Sequence, residues 1–307
     1  MTTAPALSGV YPIVPTIFDD RGGLDGAGQR GTIDYLLRAG VHGIVLVANA
    51  SEGYTIVDAE RTALIDAAVR HIRGRIPVAV TCNHPSTVGA VRFAREAQDL
   101  GADAVMFLPP FFGGWLSDLD GIRRHCEAIS RATAVPLMLQ DHPLSGITMP
   151  APFLVDLART IERLGYFKVE SNRAPAKIGA MARLGGDAIR GLFGGTAGVV
   201  FLEELDQGAT GTMPSSLLPE VFVRVFTAYR QGDRTRAAEL MARCARLIAF
   251  EIHLGGQRAV KEALALQGII QSTVVRGPIR DAWDEHAGRQ FRELIADAGL
   301  LELEPRT

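Results

Sequence analysis

A lysine lies inside a short apolar stretch of the chain, Gly165–Ser171. The β-prone residues around Lys168 follow a glycine and end at polar residues, a pattern that predicts a buried strand. Lysine is rare in this chain: the others are Lys177 and Lys261, and arginine supplies the remaining basic side chains. Because burial penalises an ammonium group, such a lysine tends to become a neutral, nucleophilic amine that forms a Schiff base with a ketone or aldehyde. The alternative is a structural lysine paired with a carboxylate such as Glu170.

The composition argues against several other classes of protein. The chain has 307 residues, of which 47% are hydrophobic and 21% charged, and its net charge is -2. This ordinary globular composition has no basic excess for binding nucleic acid or an anionic membrane. The cysteines, Cys82, Cys126 and Cys244, are odd in number and too widely spaced for a disulfide framework or a CxxC metal site. The sequence shows neither a signal-peptide pattern nor an apolar run of about 18 residues, so we expect a cytoplasmic protein.

Short apolar runs alternate with amphipathic runs from Val10 to Met213. We predict eight strand–helix units, and this alternation implies parallel strands with right-handed crossovers. Eight units in about 210 residues suit a (β/α)8 TIM barrel, an α/β fold of typically about 250 residues. A doubly wound sheet competes, but no glycine-rich dinucleotide turn follows the first predicted strand, Val10–Thr16. Helical patterns replace strands beyond about Leu217, so we assign residues 1–231 to the barrel and 232–307 to a C-terminal helical extension.

Barrel active sites lie at the carboxyl ends of the strands. Polar, glycine or proline residues follow all the predicted strands except the first. In chain order they are Ala48–Glu52, Asn83–His84, Pro109–Phe112, Gln140–Pro143, Lys168–Ser171, Phe193–Gly195 and Thr212–Met213. Such residues also make ordinary turns, so each loop taken alone is weak evidence. Their convergence around Lys168 predicts a site for a small molecule.

The loop Ala48–Glu52 is suited to binding a carboxylate. Ala50 and its small neighbours leave backbone N–H groups accessible, and Asn49 and Ser51 add polar side chains. A 2-oxo acid would then place its carboxylate on this loop and its ketone near Lys168, in position for imine formation.

Two histidines, His84 and His142, also follow predicted strands and raise the question of a metal site. A histidine pair without a nearby carboxylate cluster is a weak metal signal. An imine formed on Lys168 is itself an electron sink, so this chemistry requires no metal. We therefore predict polar roles for both histidines and no metal or other cofactor.

Several motifs spread along the chain belong together. They are Gly9–Pro12 with Pro15–Thr16, Pro109–Phe112, Phe167–Glu170 and Gly208–Gly211. In these motifs the chain resembles the dihydrodipicolinate synthase / N-acetylneuraminate lyase family of class I aldolase-like barrels. The resemblance implies that Lys168 forms a Schiff base with a small 2-oxo acid substrate. It also implies a homo-oligomer, commonly a tetramer; the net charge and the lack of a long apolar run already argue against nucleic acid or a membrane as a partner.

Three positions depart from the common pattern of this family. The family's carboxylate-binding loop is usually Gly-Thr/Ser-Thr-Gly-Glu, where this chain has Ala48–Glu52. The strand-five tyrosine that relays protons falls on Gln140, and an amide cannot act as an acid or base. The arginine that binds a second carboxylate in dihydrodipicolinate synthases falls on Ser145, so lysine biosynthesis is not expected.

One branch of the family, the L-2-keto-3-deoxyarabonate dehydratases, looks similar in these departures. The shared segments are Asn49–Glu52, Gln140–Gly146, Ala151–Leu154 and Tyr166–Lys168, whereas Gly195–Ala197 stands where that branch has Gly-Glu-Glu. The resemblance implies dehydration of a 2-keto-3-deoxy sugar acid such as L-2-keto-3-deoxyarabonate. The alternatives are a pyruvate-dependent aldolase or lyase, a deaminase or hydratase of another 2-oxo acid, and a catalytically silent barrel that binds 2-oxo acids.

The expected site combines these motifs with the predicted strand ends. We expect Lys168 and Gln140 to be catalytic, with a water or the imine nitrogen carrying the protons. The expected substrate-binding residues are Asn49, Ala50, Ser51, Ser145, Ser171, Gly194 and Met213. The expected supporting residues are Glu52, Phe112 and Glu170.

Overall fold

Eight parallel strands form a nearly closed barrel. The structure is a computed structural model that describes residues 6–111 and 117–299. Its strands are β1 (Gly9–Val10), β2 (Ile44–Leu46), β3 (Val78–Thr81), β4 (Ala104–Phe107), β5 (Leu137–Asp141), β6 (Leu164–Val169), β7 (Gly191–Gly194) and β8 (Gly211–Thr212). They pair in the order β1-β8-β7-β6-β5-β4-β3-β2, and every pairing is parallel. The predicted (β/α)8 barrel is confirmed.

Ile13, beyond the end of β1, joins the two ends of the sheet. It forms parallel bridges with Val45 of β2 and with Ser215, which follows β8. The predicted first strand, Val10–Thr16, is therefore much shorter than its apolar pattern indicates. Proline has no backbone N–H to donate to a ladder, so the prolines between Val10 and Thr16 limit regular pairing there.

Among the described residues, eight helices follow the strands, and three more form the C-terminal part. They are α1 (Gly26–Arg38), α2 (Asp58–Ile72), α3 (Thr87–Asp99), α4 (Leu119–Ala132), α5 (Ala151–Thr160), α6 (Ala174–Gly185), α7 (Phe201–Asp206), α8 (Pro219–Arg230), α9 (Arg234–Phe250), α10 (Gly256–Leu266) and α11 (Glu285–Asp297). Within the described ranges, no helix combines the length and the apolar character needed to cross a membrane.

The core lies in separate layers. One cluster fills the barrel interior with alternate strand residues, including Val45, Met138, Tyr166 and Phe193. The intervening strand residues face outward and pack against the helices. Another cluster joins α7 and α8 to α9, α10 and α11. It continues across the boundary expected between residues 231 and 232, and that division of the chain remains a prediction.

Candidate active site

Lys168 lies near the carboxyl end of β6 and points into the barrel. Two residues earlier, Tyr166 belongs to the interior cluster, and side chains alternate along a strand. The Lys168 side chain is 5% exposed, and its backbone pairs with Gln140 of β5 and Phe193 of β7. The amine is thus held in the mouth of the barrel between two neighbouring strands.

Glu170, directly after β6, connects the groups around this amine. Its Oε2 lies 3.2 Å from Lys168 Nζ and accepts a 2.6 Å hydrogen bond from Gln140 Nε2. Its Oε1 accepts a 2.7 Å hydrogen bond from the Thr196 backbone N–H. Burial alone raises the pKa of Glu170, but the charge of Lys168 and the hydrogen bonds outweigh this effect and hold the pKa below the ordinary 4.5. The carboxylate is therefore ionised at neutral pH and is available as a base.

Gln140 has an amide oxygen whose hydrogen-bonding capacity is unused. Its Nε2 is committed to Glu170, whereas its Oε1 is buried and has no hydrogen-bond partner in the described part of the chain. Buried polar atoms are almost always paired, so a donor on a bound molecule is the natural complement of this oxygen. The amide can orient a hydroxyl group or a water, but it cannot relay a proton.

The loop after β2 forms a short 3₁₀ turn, Asn49–Ser51. The hydroxyl of Ser51 is buried without a partner among the described residues, so its hydrogen-bonding capacity is unused there. The backbone carbonyl of Ser51 accepts a 2.6 Å hydrogen bond from Thr16, and the Asn49 side chain accepts one from Asn83. Glu52 ends the turn in the left-handed conformation and forms a fully buried ion pair with Lys261. Its carboxylate is thus bound to a lysine of the C-terminal helices.

In the loop after β5, polar side chains form hydrogen bonds within the loop itself. The Ser145 hydroxyl is fully buried and donates to the carbonyls of His142 and Ile147. This geometry favours a role for Ser145 in shaping the loop, and the structure does not present its hydroxyl to the mouth. Ser171, by contrast, accepts a 3.1 Å hydrogen bond from Lys177, and its own proton remains available.

Lys177 on α6 is the second lysine near the site, and the sequence pattern gave it no role. Its ammonium lies 2.6 Å from Asp141, the last residue of β5, and is 12% exposed. It is thereby tied between β5 and the loop after β6. Because its ammonium contacts both Asp141 and Ser171, Lys177 is suited to positioning these two strand ends.

The expected residues of β7 and β8 lie around two glycines. Gly194 ends β7 beside Thr212, and Met213 donates its backbone N–H to the Gly194 carbonyl in the barrel interior. A Cβ at Gly194 would overlap the carboxyl of Glu204, and a Cβ at Gly195 would overlap the carboxylate of Glu170. Glycine is therefore required at both positions, because a Cβ there would keep these two acids away from the end of β7. Phe112 lies outside the described residues.

Glu204 is a buried acid that the sequence pattern did not single out. It lies on α7, is 1% exposed, and its Oε2 has no partner among the described groups. Burial, followed by the nearby charge of Glu170, raises the pKa of Glu204 well above the ordinary 4.5. Its surroundings therefore favour the neutral acid, whereas those of Glu170 favour the ionised carboxylate. A glutamate on an outer helix gives no signal of this kind in the sequence.

A sequence model of the dihydrodipicolinate synthetase family matches residues 6–297. The chain belongs to this family. It is therefore a lyase of the dihydrodipicolinate synthetase family, as the motifs around Lys168 predicted. Family membership covers the barrel and the C-terminal helices together.

Three relatives illustrate the range of the family. The L-2-keto-3-deoxyarabonate dehydratase of Azospirillum brasilense is 37% identical over 302 residues, which cover 98% of this chain and 96% of that protein. A protein of Escherichia coli strain K12 named "Probable 2-dehydro-3-deoxy-D-pentonate aldolase" is 26% identical and covers 96% of this chain and 98% of its own length. The dihydrodipicolinate synthase structure from Rhodopseudomonas palustris superposes with a TM-score of 0.88 at 24% identity, covering 96% and 99%. This last likeness supports the barrel fold.

The two histidines considered as metal ligands form hydrogen bonds within their own loops. His84 Nδ1 accepts a 2.9 Å hydrogen bond from the Ser86 backbone N–H, and His142 Nδ1 accepts one of 3.0 Å from Leu144. Across residues 6–111 and 117–299, no cluster of three or more histidine, cysteine or acidic side chains is arranged to hold a metal ion.

Chelation is expected to leave this enzyme active. Dialysis against EDTA should not change the turnover of the substrate, because an imine on Lys168 would supply the electron sink. Turnover before and after dialysis is the measurement. Loss of activity that zinc or magnesium restores would contradict the expectation and indicate a metal-dependent reaction.

Proposed function

We propose that this protein is a Schiff-base-forming dehydratase of 2-keto-3-deoxy sugar acids, with L-2-keto-3-deoxyarabonate as its first candidate substrate. The observation that carries the proposal is the contact of one ionised carboxylate, Glu170, with both Lys168 and Gln140. The dehydratase relative from Azospirillum brasilense, 37% identical over 98% of this chain, supports the choice of reaction and substrate.

In this proposal the Asn49–Ser51 turn binds the substrate carboxylate. The unpartnered Ser51 hydroxyl is one donor for it. A 2-oxo acid bound there directs its ketone carbon towards the mouth, where Lys168 lies. Fixing both ends of a small substrate turns imine formation into an effectively intramolecular reaction, which lowers its barrier.

Glu170 is placed to accept and return the proton that moves during imine formation. At 3.2 Å, it accepts the proton that the Lys168 ammonium must lose before the amine attacks the C2 ketone. It then returns that proton to the carbinolamine oxygen. This oxygen leaves as water, and the nitrogen is left as an iminium at C2 of the substrate.

Elimination uses the same carboxylate a second time. The iminium draws electrons from the C3–H bond, Glu170 takes the proton, and an enamine remains. The C4 hydroxyl then departs as water with the proton that Glu170 holds, while the enamine electrons form the C3–C4 double bond and restore the iminium. Tautomerisation converts the C5 alcohol into an aldehyde, and hydrolysis of the imine releases 2-oxoglutarate semialdehyde and the Lys168 amine.

Gln140 favours this elimination over carbon–carbon cleavage. Cleavage needs a base that removes the proton of the C4 hydroxyl. The amide of Gln140 cannot do so, and in this proposal Glu170 meets that hydroxyl only after it has taken the C3 proton. Its free Oε1 can instead accept a hydrogen bond from a substrate hydroxyl and orient it for departure. The same amide holds Glu170 from the other side and so fixes the base beside Lys168.

The products distinguish the proposal from its main rival. Incubation with L-2-keto-3-deoxyarabonate is expected to give 2-oxoglutarate semialdehyde with at most traces of pyruvate, as followed by NMR. Pyruvate and glycolaldehyde without the dehydrated product would identify an aldolase, the activity named for the Escherichia coli relative. Neither set of products from a panel of 2-keto-3-deoxy acids would favour a barrel that binds 2-oxo acids without turnover.

We also propose a cytoplasmic homotetramer. The oligomer rests on the family resemblance alone. The cytoplasmic location is supported by Cys82, Cys126 and Cys244, which are all free and buried in the structure, as suits a reducing compartment.

A further inference from the structure

A lysine of the C-terminal extension lies directly behind the Asn49–Ser51 turn. Lys261 on α10 and Glu52 are both fully buried and form an ion pair. The Lys261 ammonium also donates a 2.6 Å hydrogen bond to the carbonyl of Val274. The other Glu52 oxygen, Oε2, accepts a 2.7 Å hydrogen bond from the backbone N–H of Arg276. Both oxygens of Glu52 are therefore held by residues between 261 and 276.

The side chain of Arg276 anchors that segment to the barrel. Its guanidinium binds both carboxylate oxygens of Glu60, at 2.7 and 2.9 Å, and donates to the carbonyl of Thr55 at 3.0 Å and to that of Gly22. It also lies 4.1 Å from the centre of the Phe18 ring. A planar guanidinium suits such a bidentate and stacked site, and lysine is a poor substitute. The backbone N–H that meets Glu52 is thereby fixed in place.

Glu52 needs this support because of its backbone. Its φ is 59°, a left-handed conformation that residues other than glycine seldom adopt. Such conformations persist where the surrounding structure determines them, and they cluster at ligand sites. Glu52 directly follows Ser51, so the direction of its backbone sets the orientation of the turn that carries the free Ser51 hydroxyl.

We propose that Lys261 and Arg276 are positioning residues for substrate recognition: by holding Glu52, they fix the Asn49–Ser51 turn in the geometry that receives the substrate carboxylate. This inference rests on the proposed function, in which that turn binds the carboxylate of a 2-oxo acid. It gives the C-terminal extension a part in substrate selection that is separate from the chemistry at Lys168.

The test compares two carbonyl compounds in the full-length protein. Pyruvate carries a carboxylate and pyruvamide does not, and both can be trapped as a reduced imine by cyanoborohydride. In Arg276→Met, we expect the concentration of pyruvate for half-maximal trapping to rise about tenfold, the loss typical of one displaced hydrogen bond to a charged group. Maximal trapping should be retained, and the preference for pyruvate over pyruvamide should fall by a similar factor. Lys261→Met should change the preference in the same direction.

Arg258→Met is the matched control. Arg258 lies on the same helix as Lys261 and forms ion pairs with Glu262 and Asp281, and its side chain is 26% exposed, against 22% for Arg276. This variant should trap both compounds as the unaltered protein does. Thermal unfolding checks that each variant is folded, and Arg276→Lys replaces Arg276→Met if the latter does not fold.

Two results would overturn the inference. One is an unchanged preference and half-maximal concentration in Arg276→Met, as in the control. The other is a fall in maximal trapping with the preference unchanged, which would indicate general damage to the site. Failure of the unaltered protein to trap pyruvate at all would instead refute the proposed function, and this inference with it.

Discussion

Lys168→Ala is expected to remove both the dehydratase activity and the trapping of 2-oxo acids by borohydride. In the unaltered protein, trapping with pyruvate should add mass to the peptide that contains Lys168. Removal of a covalent catalytic group costs on the order of 10⁴–10⁶-fold in rate, because the remaining site can bind the substrate but cannot form the imine. Intact-protein and peptide mass spectrometry measure trapping, and the product assay measures turnover.

The fold should survive this replacement. Glu170 loses the ammonium but keeps its hydrogen bonds from Gln140 and from the Thr196 backbone. Lys168→Met, which fills the same space with an apolar side chain, is the second variant should the alanine leave too large a cavity. Lys177→Ala is the control, because the Lys177 amine is paired with Asp141, and trapping should persist in it. Added mass on Lys177 or Lys261 would contradict the assignment.

Much of this chemistry could be predicted from the sequence because it depends on local pattern. Alternation along the apolar strand directs Lys168 inward, and the alternating apolar and amphipathic runs predict the eight strand–helix units. The strand beginning at Val10 was overestimated, since an apolar pattern does not reveal where proline interrupts pairing.

The contacts between strands could not be predicted in the same way. Gln140 lies opposite Lys168 because the register of β5 and β6 shifts by one residue between Leu137 and Met138. If the register changed by one residue, the Gln140 side chain would lie on the other face of the sheet. The local sequence pattern does not determine this register. The sequence motif placed Gln140 at the end of β5, but only the register brings its amide to Glu170.

Glu52 and its partners show a further limit of the sequence. The motif ending at Glu52 suggested a supporting residue at the mouth, whereas the left-handed turn sends its carboxylate to Lys261, about two hundred positions later in the chain. The helical pattern of α10 indicates which face of the helix is apolar. Lys261 lies on that face, and the sequence shows only that it departs from the apolar pattern. Its partner can be identified only once the extension is packed against the barrel.

Glu170→Gln is expected to impair proton abstraction without abolishing imine formation. The amide keeps the size of the carboxylate but cannot take the C3 proton, and the loss of a general base typically costs about 10²–10⁴-fold. Dehydration should fall by that factor, and so should the exchange of the pyruvate methyl protons for deuterium in D₂O, followed by NMR. Trapping of pyruvate on Lys168 should become slower, because Glu170 also carries the protons of imine formation, but it should still reach completion, because the lysine itself is unchanged.

Glu204→Gln is the matched control for this prediction. Glu204 is also a buried glutamate near the end of β7, but burial raises its pKa and favours the neutral acid, so the amide changes the charge less there than at Glu170. Dehydration and deuterium exchange should both change by no more than a few-fold in Glu204→Gln. A loss as large as that in Glu170→Gln would point to Glu204, or to both acids, as the proton carrier.

The pH dependence gives an independent test of the base. Glu170 acts in its ionised form, so exchange is present above its pKa and is lost as the pH falls through it. Because that pKa lies below the ordinary 4.5, exchange in the unaltered enzyme should show no loss attributable to Glu170 between neutral pH and about pH 5. In Glu170→Gln the acid limb should be absent from the residual exchange. An acid limb that persists unchanged in this variant would assign the base to another group and leave Glu170 with a positioning role beside Lys168.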